Sequence, residues 1–293
     1  MRTPLPTPYA AALTLLLALP AGGPAHAAPG AQGTYALDAS TTFQVADAVA
    51  FHRRGWDGER VIVLLSQTPL DPADWNATLD VAGAADRFKD EASWIELELQ
   101  PDGTWAGTSF ALRYDGGMSS GSRYDPGFEG SMKATVGEDR VGGRLQATFE
   151  DGAAVDLTLA APVLAPSGDP LPAGGGDAGK ALAACGAAFA ARDLAAVRRA
   201  CEAQTADIID SALRMRADGY EMEDPWTPAG VSECDVAAVT GLVVEGGVVR
   251  GDEARVEAAG GWTEERRCSG SVYLRREDGR WRVARSALVL VTE

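Results

Sequence analysis

Gly117-Met118-Ser119-Ser120-Gly121 has the G-x-S-x-G spacing that can hold a serine hydroxyl for acyl transfer. That spacing carries meaning between a strand and a helix. Here it stands among Gly, Ser and Asp residues with no helical periodicity, and is read as a loop. A serine nucleophile also needs a base. Beyond residue 27 the sole histidine is His52, which precedes the serine, whereas the hydrolase order is Ser, Asp, His. One histidine cannot make a multi-histidine zinc site or a two-histidine facial triad within one chain. His52, flanked by Arg53 and Arg54, is expected to be a strand residue. The sequence assigns no catalytic residue, no metal site and no cofactor.

Carboxylates are the remaining acid–base groups. Gly219 to Trp226 holds Glu221, Glu223 and Asp224 beside Trp226. A carboxylate desolvated against that indole would have its pKa raised and could act as an acid or a base. With Tyr220, and with Trp262 and Tyr273 brought near, these residues form the candidate ligand-binding set. In the blander reading, which is preferred, Tyr220, Met222 and Trp226 simply seal an open end of the fold. Asp71, Asp74 and Asp80 surround Trp75, and Asp86, Asp90 and Glu91 follow on an expected short helix. None has the spacing of a calcium loop, so they read as a solvated acidic face.

Residues 1–27 read as a secretory signal: Met1-Arg2, an apolar run from Tyr9 to Leu19, and the cleavage sequence Ala25-His26-Ala27. The apolar run is too short to cross a bilayer as a helix. No cysteine occurs before Cys185, so there is no lipobox. The expectation is a periplasmic or secreted bacterial protein without a membrane anchor. Without Arg2, 25 basic side chains remain against 42 acidic ones, a net charge of −17. Residues 29–170 carry −12 of it. Such a surface repels phosphate backbones, which argues against nucleic acid as a partner.

Between residues 33 and 162 short alternating runs are separated by turn residues. Ile95, Leu97 and Leu99 alternate with acids, Pro101-Asp102-Gly103 turns, and Trp105 to Tyr114 follows. Met132–Val136, Val141–Phe149 and Val155–Leu159 repeat the pattern. With Phe43–His52 and Val61–Ser66, the count suits an all-β sandwich or barrel. Residues 163–178 are rich in Pro and Gly and read as an exposed linker with few backbone partners.

From residue 179 to 293 the pattern changes to helices followed by an antiparallel meander. The first helix presents Leu182, Cys185 and Phe189. Asp193 suits an N-cap, and the second helix presents Leu194, Val197, Cys201 and Ile208. Cys185 and Cys201 each lie eight residues from Asp193, about 12 Å along their helices. Antiparallel packing would therefore pair them, leaving Cys234 for Cys268. Disulfides, rather than metal ligation, suit an even cysteine count without C-x-x-C spacing in an exported chain. Asp278-Gly279 marks a two-residue type I′ hairpin. Its register sets Arg276 opposite Trp281, Leu274 opposite Val283 and Val272 opposite Arg285.

Ala-Phe-Ala-Ala-Arg-Asp-Leu-Ala-Ala-Val (residues 188–197), Gly251-Asp252-Glu253-Ala254-Arg255-Val256 and the run Leu274 to Val283 together resemble the nuclear-transport-factor-like, ketosteroid-isomerase-like superfamily. The resemblance covers about two-fifths of the chain. It implies an α+β cone in which a curved sheet wraps a helical hairpin around a pocket. Its isomerases place a tyrosine and two acids in that pocket. The helix stripe Leu182, Cys185, Phe189 lacks the tyrosine, so the isomerase motif does not carry over. Residues 33–68, with Arg140 to Leu145, resemble uncharacterised exported bacterial β-domains, which implies no activity.

The sequence thus leads to a non-catalytic binding module for a small molecule or a protein. The alternatives are a carboxylate-based isomerase or lyase and an inhibitor- or immunity-like interaction protein.

Overall fold

The computed structural model describes residues 28–38, 40–55, 58–114, 116–124, 127–201, 203–221, 224–226, 234, 236, 239–261 and 266–291. The signal segment 1–27 and Met222, Glu223 and Trp262 lie outside the described residues.

The chain is mostly antiparallel sheet with a few helices. It opens with β1 (Ala31–Ala36), β2 (Thr42–Val45), β3 (Asp47–Gly55) and β4 (Gly58–Ser66). Helices α1 (Pro72–Asn76) and α2 (Val81–Glu91) precede β5 (Trp94–Leu99), β6 (Trp105–Tyr114) and β7 (Gly117–Arg123). Then come β8 (Phe128–Ser131), β9 (Thr135–Val136), β10 (Arg140–Phe149) and β11 (Ala154–Pro162). The remainder is β12 (Asp169–Pro170), α3 (Gly176–Ala190), α4 (Leu194–Ala200) and α5 (Ala203–Ala217), followed by four long strands. These are β13 (Thr240–Arg250), β14 (Glu253–Gly261), β15 (Arg267–Glu277) and β16 (Arg280–Val291).

Three sheets result. One runs β2-β1-β11-β10-β8 with β9 on β10, a second β3-β4-β5-β6-β7, and the third β12-β13-β14-β15-β16. The first two share one core, where Tyr35, Phe43, Leu145 and Leu157 meet Val61, Val63, Leu65, Ile95 and Leu97. Strand β4 is apolar without alternation because both its faces are covered. Val61, Val63 and Leu65 enter that core, while Ile62 and Leu64 pack with Trp75, Val81 and Ala85 of α1 and α2. The second sheet is therefore backed by the two helices.

Turn chemistry joins the first two sheets. Gly103 has φ +83° at the end of Pro101-Asp102-Gly103, and a Cβ there would strike the Ala134 carbonyl. The close approach lets Ala134 N–H donate to Gly103 (2.9 Å) and Trp105 N–H to Met132 (3.1 Å).

In the third sheet, helices α3 to α5 cover the face carrying Val256, Val272, Leu274 and Val283, and supply Leu182, Val197 and Ile209. Asp193 caps α4, accepting from Ala196 N–H at 3.0 Å. Disulfides join Cys185 to Cys201 and Cys234 to Cys268. The β15–β16 turn has φ +50° at Asp278 and +75° at Gly279, the type I′ combination.

Four local expectations are corrected. Arg276 faces Trp281 and Leu274 faces Val283, but a bulge at Ala284 then shifts the register. Tyr273, not Val272, pairs with Arg285. The second helix stops at Cys201, whose backbone is extended and bridges Val283. Helical phase restarts in α5, so Ala206 and Ile209 are buried and Ile208 is exposed. Gly117–Gly121 is no loop but part of β7. Finally, the segment read as an exposed linker is fastened at both ends. Val163 and Leu164 donate N–H to Asp139 and Ala50, Asp169–Pro170 pairs with β13, and Leu171 donates to Gly247. Prolines lack an N–H, but their neighbours do not, and those donors find sheet edges.

The outer face of the third sheet lies against the α1–α2 connection. Glu253 accepts from Leu79 N–H (2.8 Å) and Thr78 Oγ1 (3.2 Å). Arg285 pairs with Asp80 at 2.6 Å, and Arg250 donates to the Asn76 carbonyl at 2.8 Å.

Candidate functional site

Those residues expected to bind ligand that the structure describes do not converge. Tyr220 and Glu221 follow α5 and are exposed. Asp224 turns back to pair with Arg192 at 2.6 Å and accepts from Trp226 N–H, closing this loop on the α3–α4 turn. Trp226 is half-buried against the helix-covered core. Tyr273 lies on the other face of the sheet, because its neighbours Val272 and Leu274 point towards the helices. Glu223 and Trp262 lie outside the described residues.

Tyr273 instead sits in the seam between the third sheet and α2. Burial pushes its phenol pKa above the ordinary value, Asp80 adds to the effect, and Arg285 and Arg255 oppose it. The Arg285 guanidinium stands 5.4 Å from the ring. A raised pKa keeps the phenol protonated at neutral pH, a hydrogen-bond donor rather than a base. The cavity here, between Asp80, Glu253 and Tyr273, is about 30 Å³. That is room for one water molecule and no substrate.

The other sequence candidates resolve into structure. Ser119 and Ser120 lie in β7, at one edge of a sheet whose other edge, β3, carries His52. Four strand spacings separate those edges, about 19 Å, too far for proton transfer. Asp71 and Asp80 cap α1 and α2, accepting from Ala73 and Gly83 N–H. Asp86 pairs with Lys89 and Arg285. Among the described residues, no group of three or more His, Cys, Asp or Glu could hold a metal ion.

Ile208, Met215, Tyr220 and Val243 are exposed large apolar side chains in the C-terminal half, and four more lie along β6–β8. At the β7–β8 side of the two N-terminal sheets, Tyr114 (62% exposed), Met118 (51%), Tyr124 (57%) and Phe128 (40%) are large apolar side chains left in solvent. Phe128 also belongs to a triad of rings with Trp105 and Phe149, centroids 5.7–6.0 Å apart. A groove of about 410 Å³ runs along Thr104, Trp105, Phe128, Met132 and Lys133.

The polar groups beneath this surface are matched and rigid. Trp105 Nε1 donates to Thr108 Oγ1 at 3.0 Å, and Arg123 Nη1 donates to Tyr35 Oη at 3.2 Å. Arg123 also pairs with Asp151 at 2.6 Å and lies 4.9 Å from the Phe149 ring centroid. The hydrogen bond from Arg123 holds Asp151 below the usual carboxylate range, against a smaller opposing effect of burial. Each such partner fixes a ring in place without offering a free acid or base.

β6 is legible in the sequence, but this surface is not. The signal lay in the aromatics bracketing the Gly/Ser run. Tyr124 lies over Gly107 and Phe110 against Gly121, rings filling places where a Cβ would collide.

No protein family, no curated protein and no solved structure matches this chain.

Proposed function

We propose that the chain is an exported, non-catalytic binding protein that engages another protein through the aromatic edge formed by β6, β7 and β8. In this reading it is built as two units. Residues 33–162 form an all-β sandwich, and residues 179–293 form a disulfide-stapled α+β cone like those of the nuclear-transport-factor-like superfamily. Residues 1–27 direct it to the periplasm or the exterior. Two disulfides fit an oxidising compartment, and among the described residues no helix is long and apolar enough to cross a membrane.

The observation that carries the reading is the exposure of Tyr114, Met118 and Tyr124 along the β6–β7 edge, on both faces of the sheet, with Phe128 and Trp105 lining a groove at the end away from the β6–β7 turn. Exposed Tyr and Met side chains along a sheet edge suit a protein contact, where Tyr, Trp and Met are enriched. The carboxylates that an isomerase or lyase would use offer it less support. Glu221 is exposed and Asp224 is ion-paired to Arg192.

A photoreactive residue placed at Met118 or Tyr124, in cells exporting the protein, should yield a discrete covalent adduct with another protein. The same residue at Ile208, exposed on α5, serves as the control. Equal adducts from all three positions, or none from the first two, would refute the proposal.

A further inference from the structure

Among the described residues no further strand pairs with β7, the terminal strand of its sheet, and it has few of the features that normally protect such an edge. Its sequence, Gly-Met-Ser-Ser-Gly-Ser-Arg, has no proline and no charge before Arg123. Its pairing with β6 runs from Tyr114↔Gly117 to Thr108↔Arg123 without a bulge. Residues 117–122 are all exposed. Alternate residues of an edge strand turn their N–H and C=O groups outward, so this strand presents a row of backbone partners to solvent.

The two faces beside that row differ. Met118, Ser120 and Ser122 share the outer face with Tyr124, and Ser109 Oγ lies 3.3 Å from Tyr124 Oη. Gly117, Ser119 and Gly121 share the face of Tyr114 and Phe110. An added strand would therefore meet an aromatic ring on either side of the sheet.

Charge selects among the strands that could be added. The basic groups of this region are engaged: Arg113 with backbone carbonyls of Lys89 and Ala92, Arg123 with Asp151, Lys133 with Asp102, and Arg144 with Asp156. Glu129 in β8 and Glu150 before β11 are exposed and have no ion pair among the described residues. Glu150 is held close, its N–H donating to Gly127 and its neighbour Asp151 bonded to the end of β7. The residual charge at this edge is negative, as is that of the chain, −16. Pairing β7 with β7 of a second copy would bring two such rims together.

Building on the binding role above, we infer that the ligand is an extended, basic polypeptide segment of another protein, which adds to β7 as a further strand. Backbone hydrogen bonds supply the pairing, Tyr114, Met118 and Tyr124 take its apolar side chains, and Glu129 and Glu150 attract its Lys or Arg residues.

The test uses the full chain and a blocked decapeptide alternating lysine and valine. Three controls are the glutamate–valine counterpart, the same lysine peptide N-methylated at alternate amides, and sedimentation of the protein alone. The lysine peptide should bind and slow amide exchange across residues 117–123, more weakly as salt rises. Ser120→Lys and Ser120→Glu, both at an exposed site, should separate its affinity about tenfold, the glutamate variant binding tighter. Equal binding of the N-methylated or the acidic peptide would overturn the inference. So would a dimer of the free protein that Ser120→Lys abolishes. Adducts from Met118 in cells without peptide binding at β7 would leave the protein-binding role standing and remove only this inference. Loss of both results would remove both.

Discussion

Asp80 serves two elements at once: it caps α2 through Gly83 N–H and pairs with Arg285 of the last strand at 2.6 Å. Two hundred residues of sequence separate those partners, so no local pattern announces the contact. The two roles can be taken apart. Asp80→Asn keeps the cap and loses the ion pair, and should cost about 1 kcal/mol in denaturant unfolding. Asp80→Ala loses both and should cost about 2 kcal/mol. No cost for Asp80→Asn would mean that Arg285 contributes nothing across this seam, and equal costs for the two variants that the cap contributes nothing.

Tyr273 lies in the same seam, with its phenol pKa raised by burial. A group whose folded pKa is raised contributes stability below its unfolded pKa, about 10 for tyrosine. That contribution is lost as pH rises through the folded value. Stability should therefore fall above about pH 10 more steeply in the wild type than in Tyr273→Phe. Parallel pH profiles for the two proteins would place the phenol in solvent.

The disulfides close loops of 16 and 34 residues. On the chain-entropy account, replacing both members by alanine should cost about 3 kcal/mol for Cys185–Cys201 and about 4 kcal/mol for Cys234–Cys268. Denaturant titration of the two double variants tests the order. A reversal would show that strain or residual structure, not loop length, governs these bridges.

Much of this fold is legible in the chain because it rests on local chemistry. Asp278-Gly279 dictates a type I′ turn, and the symmetric placement of Cys185 and Cys201 about Asp193 dictates their pairing. What is not legible rests on contacts distant in sequence. The bulge at Ala284 opens a run, Ala-Arg-Ser-Ala-Leu, with no clear alternation, so nothing local fixes which residue faces Tyr273. β7 is poor in strand-forming side chains and reads as a loop until β6 pairs with it. The sequence reading sets Tyr273 beside Tyr220 at an expected pocket. The sheet's pleat sends it to the opposite face, against α2. The surface built on Trp105 and Phe128 is assembled from two sheets and has no linear motif.

Proteolysis should distinguish the two ends of the Pro/Gly-rich segment from its middle. Gly175 is buried and Leu164 is buried, whereas Ala165 and Ser167 are exposed. First cleavage is expected at Ala165–Ser167, where the backbone is most accessible. First cleavage at Gly174–Gly176 would mean that the hydrogen bonds flanking those glycines do not hold in solution.

Asp151 gives the aromatic edge a pH window. Its pKa is lowered by Arg123, so its contribution is present above the ordinary aspartate value, about 4, and lost as pH falls through the folded one. The carboxylate is half exposed, so the effect on global stability should stay under about 1 kcal/mol. Protection of the amides at the end of β7, relative to their intrinsic exchange at each pH, should fall below about pH 4, and Asp151→Asn should show the low protection at every pH. No step in the wild-type profile would contradict the role given to this pair.

The central claim is that β7 and its flanking aromatics are the contact surface. Amide hydrogen exchange of the full chain, with and without the protein captured by photocrosslinking at Met118, tests it most directly. The account predicts protection confined to residues 105–131 and strongest across 117–123. Protection around Tyr220 to Trp226 or along the α3–α4 face near Trp281, with β7 unchanged, would contradict it.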